Sequence, residues 1–530
     1  VAKVLLINPV VREEDEPRHV PYGMALLVAI AIEKGHQIQV YDANAWRKGS
    51  EVLEQVLKAD DWDIIGLGGI TTAYGSIKKI VKQTREVCPD TLIILGGGVL
   101  TSLPHDMMKF LPQVDVGVIG EAFETFPEIL AMVDQGEQNW SQINGTISRA
   151  SDGELIISKQ RELIPELDVL PYPAWDMFPL EEVYFPNSQV LFSEEGMLAK
   201  RRLDINASYG CSLICRYCYH LGISGDMRYE EMTNDQNDKS INITFDQPGG
   251  HSRTIRYHSP EYIVGLVKHA YDTYNIDFIT FLDENLMTMD QYSKRTWLKG
   301  IGKLWIQEGL QPSCTKHGHE HDENCTGVHW SGTSHATLCN PEILNYMREF
   351  GCSHLVYGYE SFAPHVMKTI GKGATPKTNM RSFFWTLESG IRPIPNQMIG
   401  FPNEDFEAIY QNMQAWEKLG IVVKPFFTTP YPGSEWFTVY RKKIEQQYDG
   451  DLEKFILDLG DATKITAIIS DNFNAVELMG LRELMLAFDY KRIKEYEQYW
   501  RKAHHVKDGE ASTVFKDPEW PAVNLKAVPR

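Results

Sequence analysis

The sequence contains no uninterrupted apolar run approaching the roughly 20 residues that a membrane-spanning helix needs, so no membrane-embedded segment is expected. It has no excess of base either. Against 72 Asp and Glu stand 52 Lys and Arg, a net charge of −20, which argues against nucleic acid as a partner. The opening VAKVLLINPV lacks the basic start and small-residue cleavage site of a secretory signal, and the expectation is a cytoplasmic protein. No low-complexity tract or repeat array stands out. No GxGxxG follows the first strand-like run, so the dinucleotide fingerprint is missing. The eight cysteines do not read as a disulfide framework: three crowd together, a pattern that suits metal binding in a reducing compartment.

What is present is an ordinary globular composition, 43% apolar and 23% charged, in 530 residues, enough for about three domains. The crowded cysteines are Cys211, Cys215 and Cys218, in LDINASYGCSLICRYCYH (203–220). Three thiolates are too few for a closed structural zinc site, which takes four ligands. They suit an iron–sulfur cluster with one iron left open to a small molecule. A partial zinc knuckle completed by His220 is the alternative.

The spacing of the three cysteines, with Tyr217 before the last, resembles the signature of radical S-adenosylmethionine enzymes. The resemblance implies a 4Fe-4S cluster on Cys211, Cys215 and Cys218 whose open iron chelates S-adenosylmethionine. It also implies a deoxyadenosyl radical as the reactive product, and an electron donor such as ferredoxin or flavodoxin.

Residues 1–140 alternate strand-like runs with amphipathic stretches: VLLINP (4–9), QIQVYDAN (37–44), IIGLGGI (64–70), LIILGGG (92–98) and VGVIGEAFETFPEILAMV (116–133). The alternation predicts an α/β fold, a doubly wound, Rossmann-like parallel sheet that binds ligands at the carboxyl ends of its strands. Glycines crowd those ends, where they suit tight turns or the close approach of a flat ligand. PYGMALLVAIAIEKGH (21–36), GGGVLTSLP (96–104) and GEAFETFPEIL (120–130) resemble the cobalamin-binding domain of the cobalamin-dependent radical subgroup, class B. By that likeness the corrin rests on Tyr22, Gly23, Gly68, Gly69, Thr71, Thr72, Gly97, Gly98, Gly120 and Glu121. The DxHxxG motif that supplies a histidine to cobalt is absent; His19 lies in the right loop without it, while His36 and His105 read as surface or helix-end residues.

Residues 141–200 form a connector: a hairpin in NGTISRASDGELIIS (144–158) about Asp152-Gly153, then a proline-rich phrase, LDVLPYPAWDMFPL (167–180), expected as a stiff extended strap. Within 201–435, strand-like runs near 203–209, 277–282, 328–333, 354–359, 393–400 and 421–429 fit the partial (β/α)6 barrel that the radical family implies. FLDEN (281–285) places Asp283 and Glu284 where two carboxylates bind the ammonium of S-adenosylmethionine, or where they cap a helix. YGYES (357–361) resembles the family's fourth-strand motif and implies ribose contacts for Glu360 and Ser361, with Lys372-Gly373 at the usual distance. MIGFPNED (398–405) implies that adenine lies beside Gly400, and PYPGSEWF (430–437) that its tyrosine and prolines wall the substrate.

Two inserts interrupt the barrel. The polar stretch 221–258 reads as a flap beside the cluster. In CTKHGHEHDENCTGVH (314–329), His317, His319 and His321 alternate between Cys314 and Cys325, enough ligands for a zinc or iron site or simply solvated loop histidines. Residues 436–530 predict a helical cap whose stripe of Leu484, Phe488, Tyr496 and Trp500 packs on the barrel, ending in an extended surface tail from 511.

The resemblance as a whole implies a cobalamin-dependent radical methyltransferase that moves a methyl group from methylcobalamin to an unactivated carbon. A peptide or protein side chain, such as glutamine or arginine, is the preferred substrate over a small molecule. Oxidative ring closure without net methyl transfer, as in an anaerobic porphyrin cyclase, is the rival chemistry, and a non-catalytic cobalamin carrier the rival class.

Overall fold

A computed structural model describes residues 1–213, 215–218, 227–235, 238–245 and 255–504. The chain begins with β1 (Lys3–Asn8), β2 (Gln37–Asp42), β3 (Ile64–Gly68), β4 (Leu92–Gly96) and β5 (Val116–Val118), which pair in parallel in the order β2-β1-β3-β4-β5. Their runs are apolar on both faces because helices cover both faces. Leu5, Ile7, Ile65 and Leu67 enter one core, while Val4, Leu6 and Ile64 enter another on the opposite side, the period-2 alternation of a strand. β6 (Thr146–Arg149) and β7 (Leu155–Ile157) continue the same sheet antiparallel to β5, so the expected hairpin extends the sheet itself.

The second half is built on β8 (Arg202–Ile205), β9 (Ser208–Tyr209), β10 (Met227–Asp235), β11 (Asp238–Phe245), β12 (Arg256–Tyr257), β13 (Phe278–Phe281), β14 (His329–Ser334), β15 (Cys352–Glu360), β16 (Arg392–Ile399) and β17 (Phe426–Phe427). Six of these run parallel in the order β8-β13-β14-β15-β16-β17, an open barrel with one strand in each of the six predicted stretches. β17 is short because it starts only after Pro425, which has no N–H to give to a ladder. Three of the intervening helices start on one device, a side-chain cap followed by proline at the first helical position. Ser259, Asn340 and Thr375 cap Pro260–Tyr274, Pro341–Glu349 and Pro376–Glu388 in this way.

Of the expected flap at 221–258, β10 and β11 form an antiparallel hairpin and β12 returns to pair with β9. Residues 221–226, 236–237 and 246–254 of it, and the expected tail from 511, lie outside the described residues. Among the described residues no helix is long and apolar enough to cross a membrane.

Two expectations are corrected. The strap at 167–180 is not extended: it folds into short helical turns at Leu167–Val169 and Trp175–Met177, with another at Leu180–Tyr184. Those turns point Trp175, Phe178 and Tyr184 into the barrel core beside Tyr22, Ala25 and Leu26 of the N-terminal half, burial that an extended chain cannot deliver on one face. Nor does the C-terminal segment pack on the barrel alone. Its helices Glu435–Gln447 and Leu452–Asp458 place Phe437, Ile444, Phe455 and Ile456 in the core under β1 and β3. The Tyr74 hydroxyl also donates to Glu453 there, at 2.5 Å. The helices Ala475–Leu486 and Tyr490–Ala503 pack on the barrel with the expected stripe of Leu484, Phe488, Tyr496 and Trp500, and Trp436 at the start of Glu435–Gln447 packs there too, against Phe401 and Val366.

Candidate active site at the barrel mouth

Barrel loops at the carboxyl ends of the strands carry chemistry, and a cavity of about 500 Å³ opens there. Cys211, Cys215 and Cys218 line it, on the loop that follows β9. The loop is held by its backbone: the Cys218 N–H donates to the Cys215 carbonyl at 3.0 Å, and the Arg216 N–H to the Ile370 carbonyl at 3.1 Å. Three sulfurs thus face one space from one short loop. His220, the alternative fourth ligand, lies outside the described residues.

Opposite the cysteines is a buried ion pair. Lys372 Nζ lies 2.8 Å from Glu360 Oε1 and also donates to the Gly358 carbonyl, while the Tyr217 hydroxyl donates to the same Glu360 oxygen at 2.5 Å. Burial alone depresses the Lys372 ammonium, but Glu360 and the cysteine sulfurs outweigh it and hold it above the usual lysine range. Burial and then the charge of Glu360 push the Tyr217 hydroxyl well up, so it remains a donor. Glu360 adopts φ 61, a left-handed backbone that a glutamate rarely takes and that concentrates at functional sites.

The carboxylates of the FLDEN phrase divide. Asp283 is buried, and both its oxygens already accept, from the Ser208 hydroxyl and from the Ala207 N–H at 3.1 Å. It therefore braces the segment leading to the cysteines, and burial raises its carboxyl to about 7. Glu284 lines the cavity half-buried. Asn285 beside it was not singled out from the sequence: its amide is buried at the cavity wall with neither nitrogen nor oxygen bonded. His335 lines the same wall and was also missed; burial lowers it to about 3, leaving a neutral ring.

Ser361 does not join this site. Its hydroxyl is fully buried and donates to Asn412 at 3.2 Å, a contact inside the core. Gly400 sits at a turn: it has φ +97, its N–H donates to Glu404 at 2.5 Å, and a Cβ there would come 3.0 Å from Leu478 of the C-terminal segment. At the outer rim stand Tyr431, Phe426 and Leu282. The alternating histidines come apart as well: His317 and His319 are exposed, whereas His321 gathers with Cys314, Cys325 and His329.

In the N-terminal sheet the order 2-1-3 reverses direction between β1 and β3, the switch point where such folds bind ligands. A cavity of about 530 Å³ sits there, between the loop after β1 (Val10–Asp15), Thr72 and Ser76, and the C-terminal segment 457–466. The hydroxyl of Thr72, which lines this cavity, is buried without a partner among the described residues, as are those of Thr71 beside it and Ser102 after β4, which suits a polar ligand at this end of the sheet. The glycines also serve the fold. A Cβ on Gly68 would meet the Gly96 backbone at 3.0 Å, and one on Gly97, at φ +78, the Gly69 N–H at 2.7 Å, so they let two loops touch backbone to backbone. Gly98 lies buried beside them, and Gly120, at φ +78, donates its N–H to the Thr101 hydroxyl oxygen at 3.0 Å. Tyr22 is buried in the barrel core, whereas Gly23 is exposed with nothing near its Cβ position. Glu121 is taken: it forms a buried two-pronged pair with Arg256. His19 is likewise held, 2.8 Å from Asp204 of β8.

Residues 9–130 match the B12 binding domain family, and residues 205–414 match the Radical SAM superfamily. The chain belongs to the cobalamin-dependent radical S-adenosylmethionine enzymes. This radical enzyme is 24% identical to the uncharacterized methyltransferase PH0819 of Pyrococcus horikoshii, over 82% of either chain. It is 21% identical to an anaerobic magnesium-protoporphyrin IX monomethyl ester cyclase of Rubrivivax gelatinosus, covering 82% of itself and 69% of the cyclase. Its fold matches that of TsrM from Kitasatospora setae, a radical S-adenosylmethionine methyltransferase solved with cobalamin and a 4Fe-4S cluster bound. The TM-score is 0.62 at 14% identity, over 84% of this chain and 75% of the other. The enzyme's cofactors are a 4Fe-4S cluster, S-adenosylmethionine and cobalamin, and its residues fit them: three thiolates on one cavity, unbonded Asn285 there, and unbonded hydroxyls on the sheet ledge.

Proposed function

We propose that the enzyme transfers a methyl group to an unactivated carbon, a reading that needs its two ligand-binding edges side by side, and the Arg256–Glu121 pair supports that placement. Arg256 lies on β12, which pairs with β9 immediately before the cysteine loop. Glu121 follows the carboxyl end of β5. The pair therefore ties the ligand-binding edge of one sheet to the chemical mouth of the other. Both of its side chains are nearly inaccessible, 3% and 8% exposed, and breaking one partner of such a pair costs about 3–5 kcal/mol.

With the groups in place, the cluster and S-adenosylmethionine supply a deoxyadenosyl radical, and cobalamin supplies the methyl group. The chain's part is placement and exclusion of water. Cys211, Cys215 and Cys218 hold the cluster. Glu284 and the unbonded Asn285 amide would hold S-adenosylmethionine, with Asp283 bracing the loop beside them. Glu360, oriented by Lys372 and Tyr217, takes the ribose. Thr71, Thr72 and Ser102 would hold the cobalamin by hydrogen bonds, beside Gly68, Gly69, Gly97, Gly98 and Gly120. Phe426, Tyr431 and Leu282 form the rim through which substrate enters. Leu282 and Phe426 are 40% and 36% exposed, an open apolar lip that suits a side chain presented on a larger body, and a peptide or protein side chain is the substrate class we favour.

Turnover with deuterated-methyl S-adenosylmethionine tests the reading. Label in the product, recovered with a peptide fraction, is the expected result. Deoxyadenosine without label in any product moves the assignment to oxidative ring closure, a reading favoured by the likeness to the Rubrivivax cyclase. Absence of deoxyadenosine overturns both.

A further inference from the structure

At the opposite end of the barrel, Cys314, His321, Cys325 and His329 bring one ligand atom each to within 4.8 Å of the others. The Cys314 sulfur lies 3.8 Å from His321 Nδ1 and 3.4 Å from His329 Nε2, and the Cys325 sulfur 3.8 Å from His329 Nε2. A tetrahedral zinc with bonds of about 2.3 Å to sulfur and about 2.0–2.1 Å to nitrogen spaces its ligand atoms about 3.3–3.8 Å apart. These three separations are already edges of that tetrahedron. We propose that Cys314, His321, Cys325 and His329 bind one structural zinc ion, which pins the 313–329 segment to the amino end of β14.

The surroundings are those of a ligand set. His329 is buried, and its other ring nitrogen, Nδ1, sits 3.3 Å from the Gly351 carbonyl, which leaves Nε2 bare toward the two sulfurs. The Ser313 hydroxyl and the Cys314 N–H both donate to the Cys325 sulfur, at 3.4 and 3.5 Å, as they would to a thiolate. Two thiolates neutralise a dication, so the filled site carries no net charge into a buried place. Two sulfurs and two imidazoles in a tetrahedron select zinc among common divalent ions.

The four ligands also say what the ion is for. With every position taken there is none for substrate, and the amino end of a barrel strand is where stability rather than chemistry resides. Cys314 comes from the helix Ser313–His317, His329 from the first residue of β14, and the other two from the loop between. That loop, 318–328, has no regular element of its own, and a cross-link from helix to strand orders it at both ends.

Metal analysis of the full-length chain, purified without oxygen, tests the site. About one zinc per chain is expected in the wild type and in Cys215→Ala. Cys325→Ser and His321→Ala should lose at least about tenfold in zinc affinity. His321→Cys, which keeps four donors, should retain the ion and controls for misfolding of the other two. His317→Ala with His319→Ala should leave zinc unchanged. Wild type without zinc, zinc that survives Cys325→Ser combined with His321→Ala, zinc lost in Cys215→Ala, or a Cys314–Cys325 disulfide in the mass spectrum would each overturn the proposal.

Discussion

The two ends of one barrel carry two groups of sulfur ligands that differ in how the chain assembles them. At the carboxyl end, Cys211, Cys215 and Cys218 are near neighbours in a single loop, and three ligands leave a metal open to a small molecule. At the amino end, a helix, a loop and a strand contribute Cys314, His321, Cys325 and His329, and four ligands close the ion off. The difference teaches that ligand count, more than ligand type, separates a reactive metal from a structural one. It also separates what breaks when each is removed.

The largest effect is expected at the mouth. Cys215→Ala should abolish cluster iron and bring deoxyadenosine formation to background, measured by iron content and chromatography, while zinc stays at about one per chain. Iron and zinc lost together would mean that the two ends are not independent. The reciprocal change, Cys325→Ser, should remove zinc and lower Tm, yet the folded fraction should keep its cluster and still cleave S-adenosylmethionine.

A smaller effect belongs to the buried pair beside the cluster. Glu360→Gln leaves the Lys372 ammonium buried without its counter-charge and should cost about 3–5 kcal/mol, read as a lower denaturant midpoint. Adding Lys372→Met should recover much of that loss while S-adenosylmethionine cleavage stays impaired, which would separate the structural from the functional part of the pair.

Acidity offers a finer probe. Folded Asp283 titrates at about 7, above its ordinary 3.8, so the unfolded chain releases this proton before the folded one does. The stability of the neutral acid is present below about pH 4 and lost as pH rises toward about 7. Asp283→Asn removes that loss. In apoprotein, the variant's advantage in Tm over wild type should grow between about pH 4 and 7 and level off above, and a difference flat across that range would place the proton elsewhere.

The smallest effect should come from the exposed histidines. His317→Ala with His319→Ala should shift stability by no more than about 0.5 kcal/mol, against the clear loss in Tm for His321→Ala.

Those last residues show where the sequence is legible. Their alternation suggested a shared site, but alternation in a loop has no defined face, and the fold exposes His317 and His319 while turning His321 inward. His329 was hidden differently: as the first residue of β14 it read as part of an apolar strand, and only pairing with β13 and β15 sets it over Cys314. Asn285 carries no signal in the sequence, because an unbonded amide is a property of its surroundings. The likeness implies a corrin contact for Glu121, and nothing near it in sequence announces that it pairs with Arg256, 135 residues away. Ser361 lies in the fourth-strand phrase, but its hydroxyl goes to Asn412, 51 residues away in the core.

What the sequence by itself determined is what short-range physics writes along the chain. The three cysteines are close in sequence and so are close in space under almost any backbone, and buried strands announce themselves as apolar runs bounded by glycine or by a capped, proline-led helix. What only the tertiary structure decided is every partnership between distant residues: Glu360 with Lys372 and Tyr217, Arg256 with Glu121, and the four ligands at the amino end. The reason is physical. A local spacing constrains a few dihedral angles, whereas a contact between distant residues depends on how all the intervening elements pack, and no single stretch of sequence records that sum.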